Sequence, residues 1–192
     1  LMEDLGDDSL YGLLQQAKMR QEVMGCYRQV LSALAELQMR ATPRMETCAF
    51  LRHRSFGYEA LRWETDYFME CFVRQYCGIA DAPDEAVEHE LHLLAAALEQ
   101  EPRYFMHRDF QSKNIYFKQG TVRIIDFQTA TRGLLQYDLA SLLKDAYFIL
   151  DSAERDELLD FYLDELAENR GGTPDREHFF ATFHRAGLQR NM

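Results

Sequence analysis

Two short runs hold the residues best suited to chemistry: His107-Arg108-Asp109-Phe110-Gln111-Ser112-Lys113-Asn114, and further on Ile125-Asp126-Phe127. An Asp and an Asn lie five positions apart, and a second Asp follows the Asn after twelve more, at the end of an apolar segment. That combination meets the needs of metal-assisted phosphoryl transfer, in which one carboxylate orients an acceptor hydroxyl while an amide and another carboxylate hold Mg²⁺ against nucleotide phosphates. Asp109 is therefore the candidate base. Asn114 and Asp126 are the candidate Mg²⁺ ligands and, through the ion, the candidate contacts to ATP. Mg²⁺ takes oxygen ligands and keeps only one or two protein carboxylates, with phosphate and water completing its shell.

Each residue alone has an ordinary reading. A His-x-Asp triplet arises by chance, and an Asp after a strand commonly caps a turn. The order is what carries weight: loop, then hairpin, then Asp. His107 is expected to brace the loop, and Arg108 is assigned no chemistry. Lys113 has two readings, a phosphate contact or a solvated loop lysine.

The elements that must position these residues follow from periodicity. Apolar residues at Leu10, Leu13, Leu14 and Ala17, then at Met24, Tyr27, Val30, Leu31, Leu34 and Leu37, predict one long helix or two abutting ones ending near Thr42-Pro43. Asp7-Asp8-Ser9 supplies the N-cap. A second amphipathic helix is predicted over 58–77 and closed by Gly78. A third runs from Asp84 to about Gln100, with Val87, Leu91, Leu94 and Leu98 on one face. Tyr104-Phe105-Met106 reads as a short strand. Residues 115–125 read as a β-hairpin with Gly120 in a three-residue turn. Helical spacing returns at Leu139, Leu142, Leu143 and Ala146, then over 153–168 and 175–190, with a break at Asn169–Pro174. The predicted fold is mainly α with a small β-hairpin.

Composition sets the outer limits. The 192 residues carry 21 Lys and Arg against 32 Asp and Glu, a net charge of −11. That balance argues against nucleic-acid binding, which draws on clustered basic residues. No apolar run reaches the ~20 residues of a membrane span, and no secretion signal is visible at Leu1-Met2-Glu3-Asp4. Cys26, Cys48, Cys71 and Cys77 lack CxxC spacing and read as free thiols of a reducing cytoplasm. Both ends look cut, which leads to the expectation of a fragment.

On the loop from His107 to Asn114, on Asp126-Phe127-Gln128 and on Tyr137-Asp138-Leu139-Ala140-Ser141-Leu142-Leu143, the sequence resembles the aminoglycoside phosphotransferase and choline kinase superfamily, relatives of the protein kinases. Within it the resemblance is to bacterial kinases of N-acetylmuramate and N-acetylglucosamine, which act in cell-wall recycling. Gly133 and the tail Gly187-Leu188-Gln189-Arg190-Asn191 add to it.

The resemblance implies the C-terminal lobe of a protein-kinase-like fold over 1–192, with the N-terminal nucleotide lobe outside the chain. Met2–Asp7 then corresponds to the hinge end. It further implies ATP and Mg²⁺ as cofactors, a small-molecule partner of the sugar class, an acceptor side formed by the helix carrying Arg62, Trp63, Glu64, Asp66 and Tyr67, and little turnover by this lobe alone. Asp138 is implied to accept hydrogen bonds from the loop's backbone amides, and Arg132 is a candidate for a substrate carboxylate. Gln111 and Ser112 stand where many relatives have His and Pro, so an aminoglycoside-type or choline-type kinase stays open, as does a silent kinase-like scaffold.

Overall fold

The computed structural model describes residues 3–170 and 174–192. Seven helices dominate it: α1 (Leu10–Gln16), α2 (Arg20–Ala41), α3 (Tyr58–Phe68), α4 (Glu85–Glu99), α5 (Leu135–Leu143), α6 (Ser152–Arg170) and α7 (Arg176–Arg190). Beside them stand short 3₁₀ and π segments and four short strands: β1 (Tyr104–Met106), β2 (Ile115–Lys118), β3 (Thr121–Ile124) and β4 (Thr131–Gly133).

Helix α1 starts where the Ser9 hydroxyl accepts the Gly12 amide, and α4 starts where the Asp84 carboxylate accepts the Val87 amide. Both satisfy amides that a helix's first turn leaves unpaired. The apolar stripe of α2 packs on α6 and on α5, with Tyr27, Val30, Leu31 and Leu34 fully buried against Leu139, Leu142, Leu158 and Tyr162. A second cluster joins Phe56, Leu61 and Leu98 to Met106, Leu134, Tyr137 and Ala186. It clamps α3 and α4 against α5 and α7, directly beneath the loop that leaves β1.

The two sheets are antiparallel pairs, β1 with β4 and β2 with β3. In the hairpin Lys118 faces Thr121, so the turn holds two residues, Gln119 and Gly120, both at positive φ. The expected three-residue turn is thus corrected: paired positive φ values match the right-handed twist of the flanking strands. Strand β4 has no sequence signature. Its partner register, Tyr104 with Gly133 and Met106 with Thr131, is made by residues nearly thirty positions apart.

Two further differences concern the helices. The α3 helix passes at Met69 into a wider π-turn stretch that ends at Tyr76, followed by Gly78 at positive φ. Val87 is exposed, so the buried face of α4 runs through Leu91, Ala95 and Leu98 instead. The Asn169–Pro174 break falls largely on Gly171, Gly172 and Thr173, and Met2 of the expected hinge segment is Leu1's neighbour; all lie outside the described residues. Among the described residues no helix is long and apolar enough to cross a membrane.

Candidate active site

The loop between β1 and β2 is fastened from below. His107 and Arg108 point both backbone N–H groups at the Asp138 carboxyl, at 2.8 and 2.9 Å. Asp138 sits fully buried on α5, where the Gln38 side chain of α2 adds a third donor at 3.3 Å. Gln38 in turn accepts a hydrogen bond from the Tyr162 hydroxyl of α6. Burial pushes the Asp138 carboxyl up to about 7, while the three donors pull it back toward the anion. Arg108 holds a left-handed φ of 75°, a costly conformation for a side chain this large. The two N–H bonds to one carboxyl fix it there.

His107 is buried and spans the site. Its Nε2 meets the Ile125 carbonyl at 2.9 Å, tying the loop to the end of β3. Burial lowers its proton affinity, opposed by the Ile125 bond and by the charges of Asp109 and Asp126. Both carboxylates therefore act on one imidazole, on the same side of the molecule. The bracing expected of His107 is what the geometry displays.

Asp109 and Asn114 meet directly. The Asn114 amide nitrogen donates to the Asp109 carboxylate at 3.1 Å and to its backbone carbonyl at 3.0 Å. Asn114 is 7% exposed, closing a short 3₁₀ turn whose Ser112 is held by Asp145 through both N–H and hydroxyl. The hairpin continues one residue past β3: the Ile125 N–H donates to the Asn114 carbonyl at 3.0 Å. That bond sets Asp126 beside Asn114. Asp126 is exposed and left-handed, at φ 66° and ψ 39°. The structure thus gathers all three sequence-predicted residues at one edge of the hairpin.

Over Asp109 opens a cavity of about 220 Å³, lined by Glu64, Arg108, Asp109, Thr129, Tyr137 and Arg190. Glu64 organises its wall. It accepts the Tyr137 hydroxyl at 3.2 Å on each oxygen, the Arg108 guanidinium at 3.1 Å and the Gln189 amide at 3.3 Å. The Arg108 guanidinium also lies 5.0 Å over the Phe56 ring. Burial and the Glu64 charge push the Tyr137 phenol up, keeping it a donor.

Sequence reasoning put Glu64 on the right helix without singling it out, and it gave Thr129 and Arg190 no role. Helical phase was the available signal for Glu64, since it lies three residues after the buried Leu61. Trp63 and Tyr67 stack on each other at 5.4 Å and are largely exposed, outside the cavity's lining.

Two further side chains singled out in the sequence lie elsewhere on the lobe's surface. Lys113 is exposed, as a solvated loop lysine is, with its ammonium 3.9 Å from the Tyr147 ring and 5.3 Å from the Tyr11 ring. Arg132 pairs with the exposed Glu46 at 2.5 Å. The four cysteines are free thiols.

The donor set suits a hard cation that brings its own water and phosphate ligands. Asn114 carries an amide and Asp126 a carboxylate, linked through the Ile125–Asn114 backbone bond. Among the described residues no cluster of three or more His, Cys, Asp or Glu could hold a metal unaided.

Comparison with known proteins gives concordant matches. The model of a phosphotransferase enzyme family matches residues 1–179. The N-acetylmuramate/N-acetylglucosamine kinase of Neisseria meningitidis is 29% identical over 143 residues, 71% of this chain and 42% of that protein. Its Pseudomonas aeruginosa namesake is 42% identical over 96 residues, 48% of this chain and 28% of that protein. The chain spans about two fifths, or less, of the curated relatives it matches. Among solved structures, a choline kinase from Cryptosporidium parvum superposes with a TM-score of 0.65 at 12% identity, covering 98% of this chain and 60% of that one. An aminoglycoside-3'-phosphotransferase of type VIII gives 0.53 at 20% identity, covering 98% and 67%. These two likenesses establish the fold: the mainly helical lobe of the kinase-like class.

Proposed function

The chain belongs to the phosphotransferase enzyme family, and on that footing we propose that it is the C-terminal lobe of an ATP-dependent kinase acting on a hydroxyl of an amino sugar. One observation supports the reading: the Asn114 amide nitrogen is bonded to Asp109, while the Asn114 backbone carbonyl accepts the N–H of Ile125, the residue before Asp126. With its nitrogen turned to Asp109, Asn114 leaves its Oδ1 free to serve a cation. Those two residues would hold Mg²⁺, which when bound neutralises charge on the nucleotide's phosphates.

The remaining work falls to the chain's own groups. Asp109 faces the cavity, where a sugar hydroxyl can donate to its carboxylate; it aligns that hydroxyl and receives its proton as transfer completes. Asn114 keeps the Asp109 carboxylate from rotating. Glu64 and Tyr137 present an acceptor and a donor to the sugar's other hydroxyls. His107 and Asp138 hold the loop rigid beneath them.

The nucleotide lobe belongs, in this reading, to sequence preceding Leu1. An apolar cavity of about 440 Å³ bounded by Leu37, Phe50, Phe105, Ile124 and Phe127, with Phe127 65% exposed, supports that assignment as a face for the lobe to cover. Hence the 192-residue chain alone is expected to turn over poorly.

The test is ATP-dependent phosphate transfer by the protein with both lobes, offered N-acetylglucosamine, N-acetylmuramate, an aminoglycoside and choline in parallel. Phosphate on the amino sugars is expected, and phosphate only on the aminoglycoside or on choline refutes the acceptor assignment. Asp109→Asn should lower kcat by about 10²–10⁴, the usual contribution of positioned proton transfer. Activity surviving that change within a few-fold refutes the base assignment.

A further inference from the structure

A polar residue interrupts the buried stripe of α2. Leu31 and Leu34 set the phase of that stripe, and Gln38, four positions after Leu34, is as fully buried as they are. An apolar side chain would fill the position with no amide to satisfy, so its hydrogen bonds decide what Gln38 is for. Its Nε2 donates to the Asp138 carboxyl at 3.3 Å and to the Leu135 carbonyl at 3.5 Å, both on α5. Its Oε1 accepts the hydroxyl of Tyr162, an equally buried residue of α6. The amide is thus oriented from both ends. Turned over, it would set its oxygen against two acceptors and its nitrogen against a hydroxyl hydrogen.

Three N–H donors thereby converge on Asp138, from His107, Arg108 and Gln38. Arg190 of α7 adds a favourable charge. The side chains of the other polar neighbours are directed elsewhere: Arg108 and Tyr137 to Glu64, and His107 to the Ile125 carbonyl. Such a setting suits an anion. Protonation adds a hydrogen to a carboxyl that already faces three, and one N–H loses its acceptor. Burial nevertheless draws a proton to Asp138, pushing it up to about 7, while the donors resist. The fold as a whole is relieved by that proton, and the loop is loosened by it. A Gln38 amide free to turn would tip the balance, since its oxygen would then accept the new proton. Tyr162 and the Leu135 carbonyl oppose that turn.

We infer that Gln38, held in orientation by Tyr162, is a positioning residue that keeps Asp138 in the anionic form gripping the His107 and Arg108 amides, so that proton uptake gates the Asp109 loop. The inference rests on the functional reading above and adds a regulation of that site. The fall of turnover on the acid side belongs to Asp138, and not to Asp109. Neither Gln38 nor Tyr162 lines the cavity over Asp109. Their influence passes through the buried carboxyl alone.

NMR of the His107 and Arg108 backbone amides, in isotope-labelled protein carrying both lobes, tests this without ATP or turnover. As pH is raised from about 5 to 9 the two resonances should move together, with one midpoint near 7. Gln38→Met and Tyr162→Phe should each raise that midpoint by about half to one unit. That is roughly a three- to tenfold gain in proton affinity, as the loss of one hydrogen bond allows. Tyr162→Phe keeps the ring and its packing, so it stays informative where Gln38→Met fails to fold. Leu34→Ala opens the same buried face of α2 and leaves the amide in place. It should lower thermal stability without moving the midpoint.

In transfer assays the decline of kcat on the acid side should follow the amide midpoint, in the parent and in both variants. Amides that do not titrate over the range overturn the proposal. So does a midpoint unmoved by both substitutions, because a purely structural Gln38 would lower stability and nothing else. A kcat decline that stays in place while the amide midpoint shifts overturns it too. If the midpoints shift as expected and no acceptor is phosphorylated, the kinase reading falls and the proton-gated loop stands.

Discussion

Asp138 Oδ1 accepts the Arg108 backbone N–H at 2.9 Å, joining a fully buried carboxyl on α5 to one of the three positive-φ non-glycine residues in the described chain. The other oxygen holds the His107 N–H. Any group that sets the loop's backbone also sets where Asp109, the next residue, points. Stability and site geometry therefore share one titratable group.

The sign of the pH effect follows. Burial raises the Asp138 carboxyl to about 7 in the folded chain, from 3.8. The folded state then binds more protons than the unfolded one between those values. The stabilisation is complete below about pH 4 and is lost as pH rises through 7. At a pH-unit worth of ~1.4 kcal/mol the loss amounts to a few kcal/mol. Urea unfolding at pH 4.5, 5.5, 6.5 and 7.5 should show this decline superimposed on the other groups' contribution. Asp138→Asn, neutral throughout, should remove that component. An unchanged slope in the variant would show that Asp138 stays ionised across the range.

The Glu64 cluster makes a separate prediction. Tyr137→Phe removes a hydroxyl shared between both Glu64 oxygens and should cost about 1 kcal/mol of stability, the ordinary net value of a hydrogen bond. Glu64→Gln keeps the shape but leaves the Arg108 guanidinium uncompensated beside Asp109. The expected outcome is a raised KM for the acceptor, with denaturant midpoints moved no more than in Tyr137→Phe. A KM unaffected by Glu64→Gln would mean that the carboxylate only props Arg108.

Packing beneath the loop can be read through Gly133. A Cβ at this position would run into the side chain of the fully buried Met106, across the ladder in which Gly133 pairs with Tyr104. Gly133→Ala should destabilise by about 1–3 kcal/mol, as overpacking of a tight core does. In the background of Met106→Ala, where the obstructing side chain is gone, the same change should cost far less. Chemical denaturation of the four proteins measures the coupling, and additive effects would contradict the contact.

How much of this was legible in the sequence depends on the range of the interaction. The helices and the 115–118/121–124 hairpin showed themselves because periodicity and a Gly-bearing turn are local signals. Asp109, Asn114 and Asp126 could be grouped as candidates for the same reason: a tight hairpin turns sequence spacing into proximity. Strand β4 was invisible, since three residues are too few to alternate and their partner lies far away in sequence. Glu64 looked like any charged residue on an amphipathic helix. Only Tyr137 and Gln189, from two other helices, give it a role. The π-turn after α3 went unseen because it changes helix phase without changing composition. It is marked instead by Phe68, Phe72 and Tyr76, stacked at 5.3 and 5.6 Å at four-residue steps.

The conformation of Asp126 sets stability against function in a way that a single substitution can separate. The residue is left-handed at φ 66°, and its side chain makes no capping hydrogen bond to the turn that follows. A carboxylate with no structural bond, held in a region that favours glycine, is a sign of strain kept for a purpose. Asp126→Gly should relieve the strain, offset partly by the greater freedom of glycine in the unfolded chain. The net change in unfolding free energy is expected between about zero and 1 kcal/mol in favour of the variant. Mn²⁺ binding, followed by water-proton relaxation as a stand-in for Mg²⁺, should meanwhile fall below detection. Asp126→Asn should keep the strain and weaken the metal, separating the two effects. A glycine variant that loses more than about 1 kcal/mol would instead assign the carboxylate a structural bond, and Mn²⁺ binding unchanged in both variants would remove Asp126 from the proposed cation ligands.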